Sequence, residues 1–352
     1  MKEIDGLLVK MIERNGSDLH LLAGEPPRTR VYGDLVPMDN QVMKNEDLES
    51  FLSEIMGDFP RREFERHDGV DFAYEIPGLS RFRVNAFRHL NGVGAVLRAI
   101  PTESVSIESL GLPSVLTSLC QNRQGLVLVT GKTGSGKSTT MAALVNEINS
   151  TRKGHILCIE DPIEFVHERN KCLISQREVG QHTASFADAL HSALREDPDV
   201  ILVGELRDLE TIGLAVTAAE TGILVLGTLH TNRASATVDR IINAFPAKKQ
   251  PQVRSMLSTS LKAVIAQQLV RRKEGNGLLA AIEILINNSA VANLIREGKT
   301  DQLETTMQGG GASGMQTMDG VLAKMLEQGL ISEEEAYLKA FSKSAFQKPV
   351  QI

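Results

Sequence analysis

The sequence predicts an α/β protein in three parts: an N-terminal α+β domain with an antiparallel sheet, a parallel α/β P-loop core, and a helical C-terminal extension. Three observations lead there. Short segments that alternate apolar and polar residues fill much of residues 1–100, the pattern of a sheet with one wet face. Near-continuous apolar runs separated by helical patterns follow, as in a parallel sheet covered on both sides. The first of those runs, 126–129, opens into Gly131-Lys132-Thr133-Gly134-Ser135-Gly136-Lys137-Ser138, which fits G-x-x-x-x-G-K-[ST] without a mismatch. The expected boundaries are 1–100, a connector at 101–112, the core at 113–285 and the extension at 286–352.

In the N-terminal part, Ile4, Leu7, Leu8, Met11 and Ile12 share one helical stripe, ended by Gly16-Ser17. Strands are expected at 18–22, 29–32, 72–76, 80–87 and 93–100, with a helix over 45–56. The polar connector begins at Pro101-Thr102-Glu103-Ser104. A short helix over 113–122 carries proline in its first turn. Core strands are expected at 126–130, 155–159, 200–203, 223–229 and 278–285. Helices are expected at 138–149, 185–196, 208–221 and 251–270; Ser185 and Asp188 cap the second of these, and Gly222 stops the third. The apolar face of the last carries Val253, Met256, Leu257, Leu261, Val264, Ile265 and Leu269. Beyond 286 the pattern is helical: 289–297, 318–328 with Gly329 as its stop, and 332–342 with Ser332 and Glu335 as a capping box. Gly309-Gly310-Gly311 and the residues to Gly314 read as a flexible joint.

Composition narrows the function. The chain has 352 residues, net charge −6 and a pI near 5.8, so no global positive field favours nucleic acid. It has no Trp and three Tyr to stack on bases. No apolar run reaches a membrane span, and Met1-Lys2-Glu3 opens no signal peptide. Cys120, Cys158 and Cys172 have neither even number nor metal spacing, and read as reduced thiols of a cytoplasmic protein.

The chemistry is at the ends of the core strands. The loop glycines let successive N–H groups turn inward onto phosphate oxygens, and the following helix brings its positive end to the same place. Lys137 then neutralises β/γ-phosphates and the Ser138 hydroxyl is placed for Mg²⁺. Three further strand ends carry polar groups: Glu160-Asp161-Pro162-Ile163-Glu164, Gly204-Glu205 and His230-Thr231. That is the edge where open α/β sheets bind ligands. Gly204 stands where most P-loop enzymes place a Mg²⁺-directed Asp.

Nine stretches in order carry a resemblance: GSDLHLLAGEPP (16–27), FRVNAF (82–87), GKTGSGKSTT (131–140), IEDPIEFVH (159–167), ISQREVG (174–180), REDPDVILVGELRD (195–208), GTLHTN (227–232), QQLVRR (267–272) and NLIREGK (293–299). The chain resembles the secretion ATPase superfamily and, within it, the type IV pilus retraction ATPases. Lys132, where many members carry Pro, and Val291-Ala292, where an Ile-Arg pair is common, depart from the pattern. The resemblance implies a RecA-like core, a PAS-like N-terminal domain, and a homohexamer in which ATP with Mg²⁺ sits between the two domains. It implies that Gly131, Thr133, Gly134, Ser135, Gly136, Lys137, Ser138 and Thr139 hold the nucleotide, and that Ser138 and Glu205 organise the metal. Glu164 would be the general base, His230 would contact the γ-phosphate, and Arg83 and Arg98 would bring charge to the phosphates. Arg195 and Arg207 read as structural or interface charges.

The function so implied is a motor at the cytoplasmic face of the inner membrane, drawing pilin out of a pilus against a membrane platform protein, alone or with a second pilus ATPase. Alternatives within the class are an accessory retraction ATPase and a conjugation- or secretion-type traffic ATPase. Outside it stand a nucleic-acid translocase, a P-loop kinase and a non-hydrolysing scaffold. The four-cysteine zinc module common in pilus assembly and type II secretion ATPases has no counterpart here. The segment 293–299 is expected to pack Leu294 and Ile295 inward and present Arg296, Glu297 and Lys299 at a helix end, where motion could pass to a partner.

Overall fold

The structure, a computed structural model, describes residues 2–31, 34–100, 105–275 and 277–346. Tyr32 of one expected strand and the start of the expected connector, 101–104, lie outside the described residues. The chain divides into two units. The first is Met1–Glu103 with Asp161–Val166 and Glu178–His182; the second is Ser104–Glu160, His167–Arg177 and Thr183–Ile352.

Unit 1 runs α1 (Glu3–Glu13), β1 (Asp18–Leu22), β2 (Arg28–Val31), β3 (Asp34–Pro37), α2 (Asn45–Ile55), α3 (Asp58–Arg66), β4 (Gly69–Ile76), β5 (Ser80–His89) and β6 (Gly92–Ile100). The strands form one antiparallel sheet in the order β3-β2-β1-β6-β5-β4. Its alternation is the expected one: Phe82, Val84 and Ala86 of β5 are buried with Leu19, Leu21 and Leu97 against Ile4, Leu8 and Met11 of α1 and Leu48 and Leu52 of α2. Residues between them, Arg83 among them, take the other face. Helix α3 and strand β3 were not legible in the periodicity.

Unit 2 continues with α4 (Val115–Cys120), β7 (Gly125–Thr130), α5 (Lys137–Thr151), β8 (His155–Glu160), β9 (Leu173–Glu178), α6 (Phe186–Ala193), β10 (Val200–Val203), α7 (Leu209–Glu220) and β11 (Leu224–Leu229). Then come α8 (Ala234–Asn243), α9 (Gln250–Ser260), β12 (Leu261–Arg271), β13 (Leu278–Ile286), α10 (Ser289–Glu297), α11 (Leu303–Gly309), α12 (Met318–Glu327) and α13 (Glu333–Lys339). The sheet order is β13-β12-β7-β11-β10-β8-β9. Its centre is parallel, with β10 between β8 and β11, and β7 between β11 and β12. Every residue of β7, β10 and β11 is buried, as strands covered on both faces require. This is a RecA-like α/β core followed by C-terminal helices.

Three expectations are corrected, the last of them in part. The helix expected over 251–270 ends at Ser260, and the rest is strand β12. Ser258, Thr259 and Ser260 turn their hydroxyls back onto the carbonyls of Ser255 and Met256, which competes with helix continuation. From Leu261 the apolar residues are buried on both faces, a run whose period does not separate strand from buried helix. Strand β13, expected among the parallel strands, pairs antiparallel with β12. The glycine stretch at the end of α11, expected as a flexible joint, is packed at Gly310 and Gly314 and open at Gly309 and Gly311. A Cβ on Gly310 would sit 2.5 Å from Met315 Sδ, and one on Gly314 2.8 Å from Val115.

The expected N-caps form, but the box at Ser332 is one-sided, since Glu335 Oε1 accepts the Arg271 N–H at 3.0 Å instead. Ser185 Oγ accepts the Asp188 N–H at 3.0 Å and Ser332 Oγ that of Glu335 at 3.1 Å. Gly329, at φ +71°, follows the end of α12. Ile295 is buried, while Arg296, Glu297 and Lys299 are exposed at the end of α10. Among the described residues no helix is long and apolar enough to cross a membrane.

His167 yields a pH prediction. Burial pushes its imidazole down to about 4, so the folded state holds it neutral. An unfolded histidine titrates near pH 6.5, so unfolding takes up a proton in the window between those values. Stability from this residue is therefore full above that window and declines as pH falls through it. Thermal melts from pH 7 to pH 5 are expected to show a shallower decline for His167→Gln than for wild type; identical slopes would contradict the assignment.

Candidate active site

The loop after β7 is built by close approach. Gly131, Gly134 and Gly136 all have positive φ, at 149°, 77° and 85°. A Cβ on Gly131 would meet Gln267 O and Ser135 Oγ at 2.4 Å, and one on Gly136 would meet Gln267 Nε2 at 2.7 Å. Both positions therefore exclude any larger residue. Gln267 of β12 is the latch: its amide donates to Ser135 O at 2.8 Å and accepts from Thr140 Oγ1 at 2.7 Å. Gln267 lies within QQLVRR, where nothing in the local sequence marks this role.

The loop fits a phosphate group. Helix α5 starts at the loop with no side-chain cap, which leaves the first N–H groups of the helix without a capping side chain at the place where a phosphate would bind. Ser135 Oγ is buried with no hydrogen-bond partner among the described residues. Lys137 Nζ folds back onto the loop carbonyls of Gly131 and Lys132, at 2.9 and 3.2 Å.

Beside the loop, parallel pairing brings the ends of β11, β10 and β8 to the same sheet edge. There Glu205 and His230 meet: Glu205 Oε1 lies 3.2 Å from His230 Nε2, and its other oxygen accepts from Arg207 Nε at 2.6 Å. Arg207 thus contacts a predicted site residue directly. Gly204 sits close against the neighbouring strand. A Cβ there would lie 3.2 Å from both Glu160 Cα and Ile159 O. Ser138 and Thr139 are half-buried in the first turn of α5. A hydroxyl chain backs this edge, with Thr231 Oγ1 2.6 Å from that of Thr237, which donates to Arg233 O at 2.8 Å.

Unit 1 carries the other predicted residues. Arg83 and Arg98 are cross-strand partners on β5 and β6, on one face of the sheet. Arg83 Nη1 lies 3.5 Å from Glu164 Oε1, and its Nε 3.6 Å from Asp71. Arg98 Nε donates to Asp18 at 2.7 Å. Burial works against ionisation of Asp18, but hydrogen bonds from Ser17 and Arg98 outweigh it and hold the carboxyl below its ordinary value. His20, two residues on, is pushed down by burial and by Arg30 and Arg98, with Asp18 opposing. Arg195 is exposed near the end of α6.

The family model for type II/IV secretion system proteins matches residues 2–336. The chain belongs to that family. It is 52% identical over 96% of its length to the type IV pilus retraction ATPase PilT of Pseudomonas aeruginosa, covering 98% of that protein. It is 43% identical over 97% of its length to the type IV pilus ATPase PilU of the same organism, covering 89% of it. The crystal structure of a pilus retraction motor PilT with bound ADP superposes with a TM-score of 0.90 at 45% identity, over 98% of each chain. The secretion-family fold therefore extends through both units of this chain.

Proposed function

We propose that this protein is the ATP-hydrolysing motor that retracts type IV pili, working as a homohexamer at the cytoplasmic face of the inner membrane against a platform protein. The observation that carries the reading is the end-to-end likeness to a retraction ATPase, closer than that to PilU. Gly131, Thr133, Gly134, Ser135, Gly136, Lys137, Ser138 and Thr139 hold the ATP phosphates with backbone N–H groups, hydroxyls and one ammonium. Ser138 and Glu205 hold Mg²⁺, which supplies charge neutralisation on the phosphates. Glu164 orients the attacking water and accepts its proton, and His230, braced by Glu205, senses the terminal phosphate. Arg83 and Arg98 supply positive charge for the transferring phosphoryl group.

The motor must pass motion on without disturbing hydrolysis. Arg296 and Glu297 lie exposed at the end of α10, where Glu297 pairs with Lys299 at 2.7 Å and Arg296 reaches Ser258 Oγ at 3.4 Å. Replacing Arg296 and Glu297 together by alanine is expected to keep ATPase rate and ring assembly near wild type while pili extend and fail to retract. Parallel loss of ATPase activity, or normal retraction, would overturn this assignment.

A further inference from the structure

The ISQREVG stretch is not used by the proposed chemistry, yet its Glu178 is the most enclosed acidic side chain among the described residues of unit 1. Glu178 is 3% exposed and meets Arg81 Nη2 at 2.9 Å, itself 17% exposed. The same carboxylate accepts the backbone N–H of Ile163 at 3.1 Å and the side-chain amide of Gln181. The backbone N–H of Glu178 donates to His182 Nδ1 at 3.0 Å. One buried carboxylate thus joins strand β5, the turn over Glu178–His182, and the backbone one residue before Glu164.

Stability alone does not explain this arrangement. A buried ion pair carries a desolvation penalty that its attraction often fails to offset, and apolar residues of similar shape serve a core as well. Here the penalty is compounded, because Arg81 Nε is buried with no partner among the described residues. What the pair does supply is position. Arg81 and Arg83 alternate onto the same face of β5. Arg83 reaches Glu164 directly, and Arg81 reaches Ile163 N–H through Glu178. The segment that carries Glu164 is therefore held at two successive residues by one strand.

We propose that Arg81 and Glu178 are positioning residues that fix Glu164 for its part in hydrolysis, an inference resting on the reading of Glu164 as the base. A misplacement of about 1 Å can cost roughly 10²-fold in rate, so losing the clamp acts on kcat rather than on nucleotide affinity.

The test is a double-mutant cycle in the full-length hexamer. Glu178→Ala is expected to lower kcat about tenfold or more with KM for ATP within about twofold. Glu178→Gln, which keeps an acceptor for Ile163, should fall between it and wild type. Arg81→Lys, which keeps the charge, should recover part of the loss seen in Arg81→Ala. In a Glu164→Gln background, single-turnover phosphate release should show no further loss from either Glu178 change, because both act through one group. Mass and melting temperature check each variant; where Glu178→Ala does not assemble, Glu178→Gln and Arg81→Lys carry the cycle. An equal further loss in the Glu164→Gln background, or an unchanged kcat, overturns the proposal while leaving the base in place. A wild-type rate for Glu164→Gln alone removes the base assignment, and the proposal with it.

Discussion

Lys137→Ala is expected to abolish productive ATP turnover, with a loss of about 10²–10³-fold or more, the scale seen when one preorganised donor to a developing charge is removed. The glycine turn, the Gln267 latch and the uncapped start of α5 remain in this variant, so the loop keeps its shape and its backbone donors. What goes is the ammonium, which lies on the carbonyls of Gly131 and Lys132. A steady-state phosphate-release assay beside a fluorescent-nucleotide titration checks it. Turnover near wild type would remove this loop as the site.

Glu164→Gln and Glu205→Gln are expected to fail differently. The first should bind Mg-ATP and lose hydrolysis by about 10²–10⁴-fold, since the amide keeps the shape and loses basicity. The second should shift the Mg²⁺ dependence of the rate and loosen His230 and Arg207, both of which lean on the Glu205 carboxylate. Metal titrations of the two variants side by side decide the matter. Reversed phenotypes would show that base and metal roles are exchanged.

Much of this was legible because the determinants are local. The phosphate loop is legible from glycine spacing, since only glycine reaches the positive φ and the clearance at Gly131 and Gly136. Strands β7, β10 and β11 are legible because burial on both faces leaves unbroken apolar runs, and the caps at Ser185 and Ser332 because their partners lie three residues away. Strand β12 was not, because a doubly buried strand after an amphipathic helix prolongs an apolar pattern that either structure satisfies. Its misassignment hid Gln267, whose bond to Ser135 spans 132 residues. The clamp of Arg81 on Glu178 spans 97 residues and has no local signature at all. Gly204 was visible as a departure, but the close approach of the Glu160 backbone beside it belongs to the folded sheet.

The central claim, that ATP hydrolysis by this chain drives pilus retraction, is tested most directly by imaging labelled pili in cells lacking the chain and then supplied with wild-type or Glu164→Gln protein. The account predicts that pili extend without the chain and do not retract, that wild-type protein restores retraction, and that Glu164→Gln protein, present at equal level and assembled, does not. Retraction restored by the Glu164→Gln protein, or continuing at the normal rate without the chain, would contradict it.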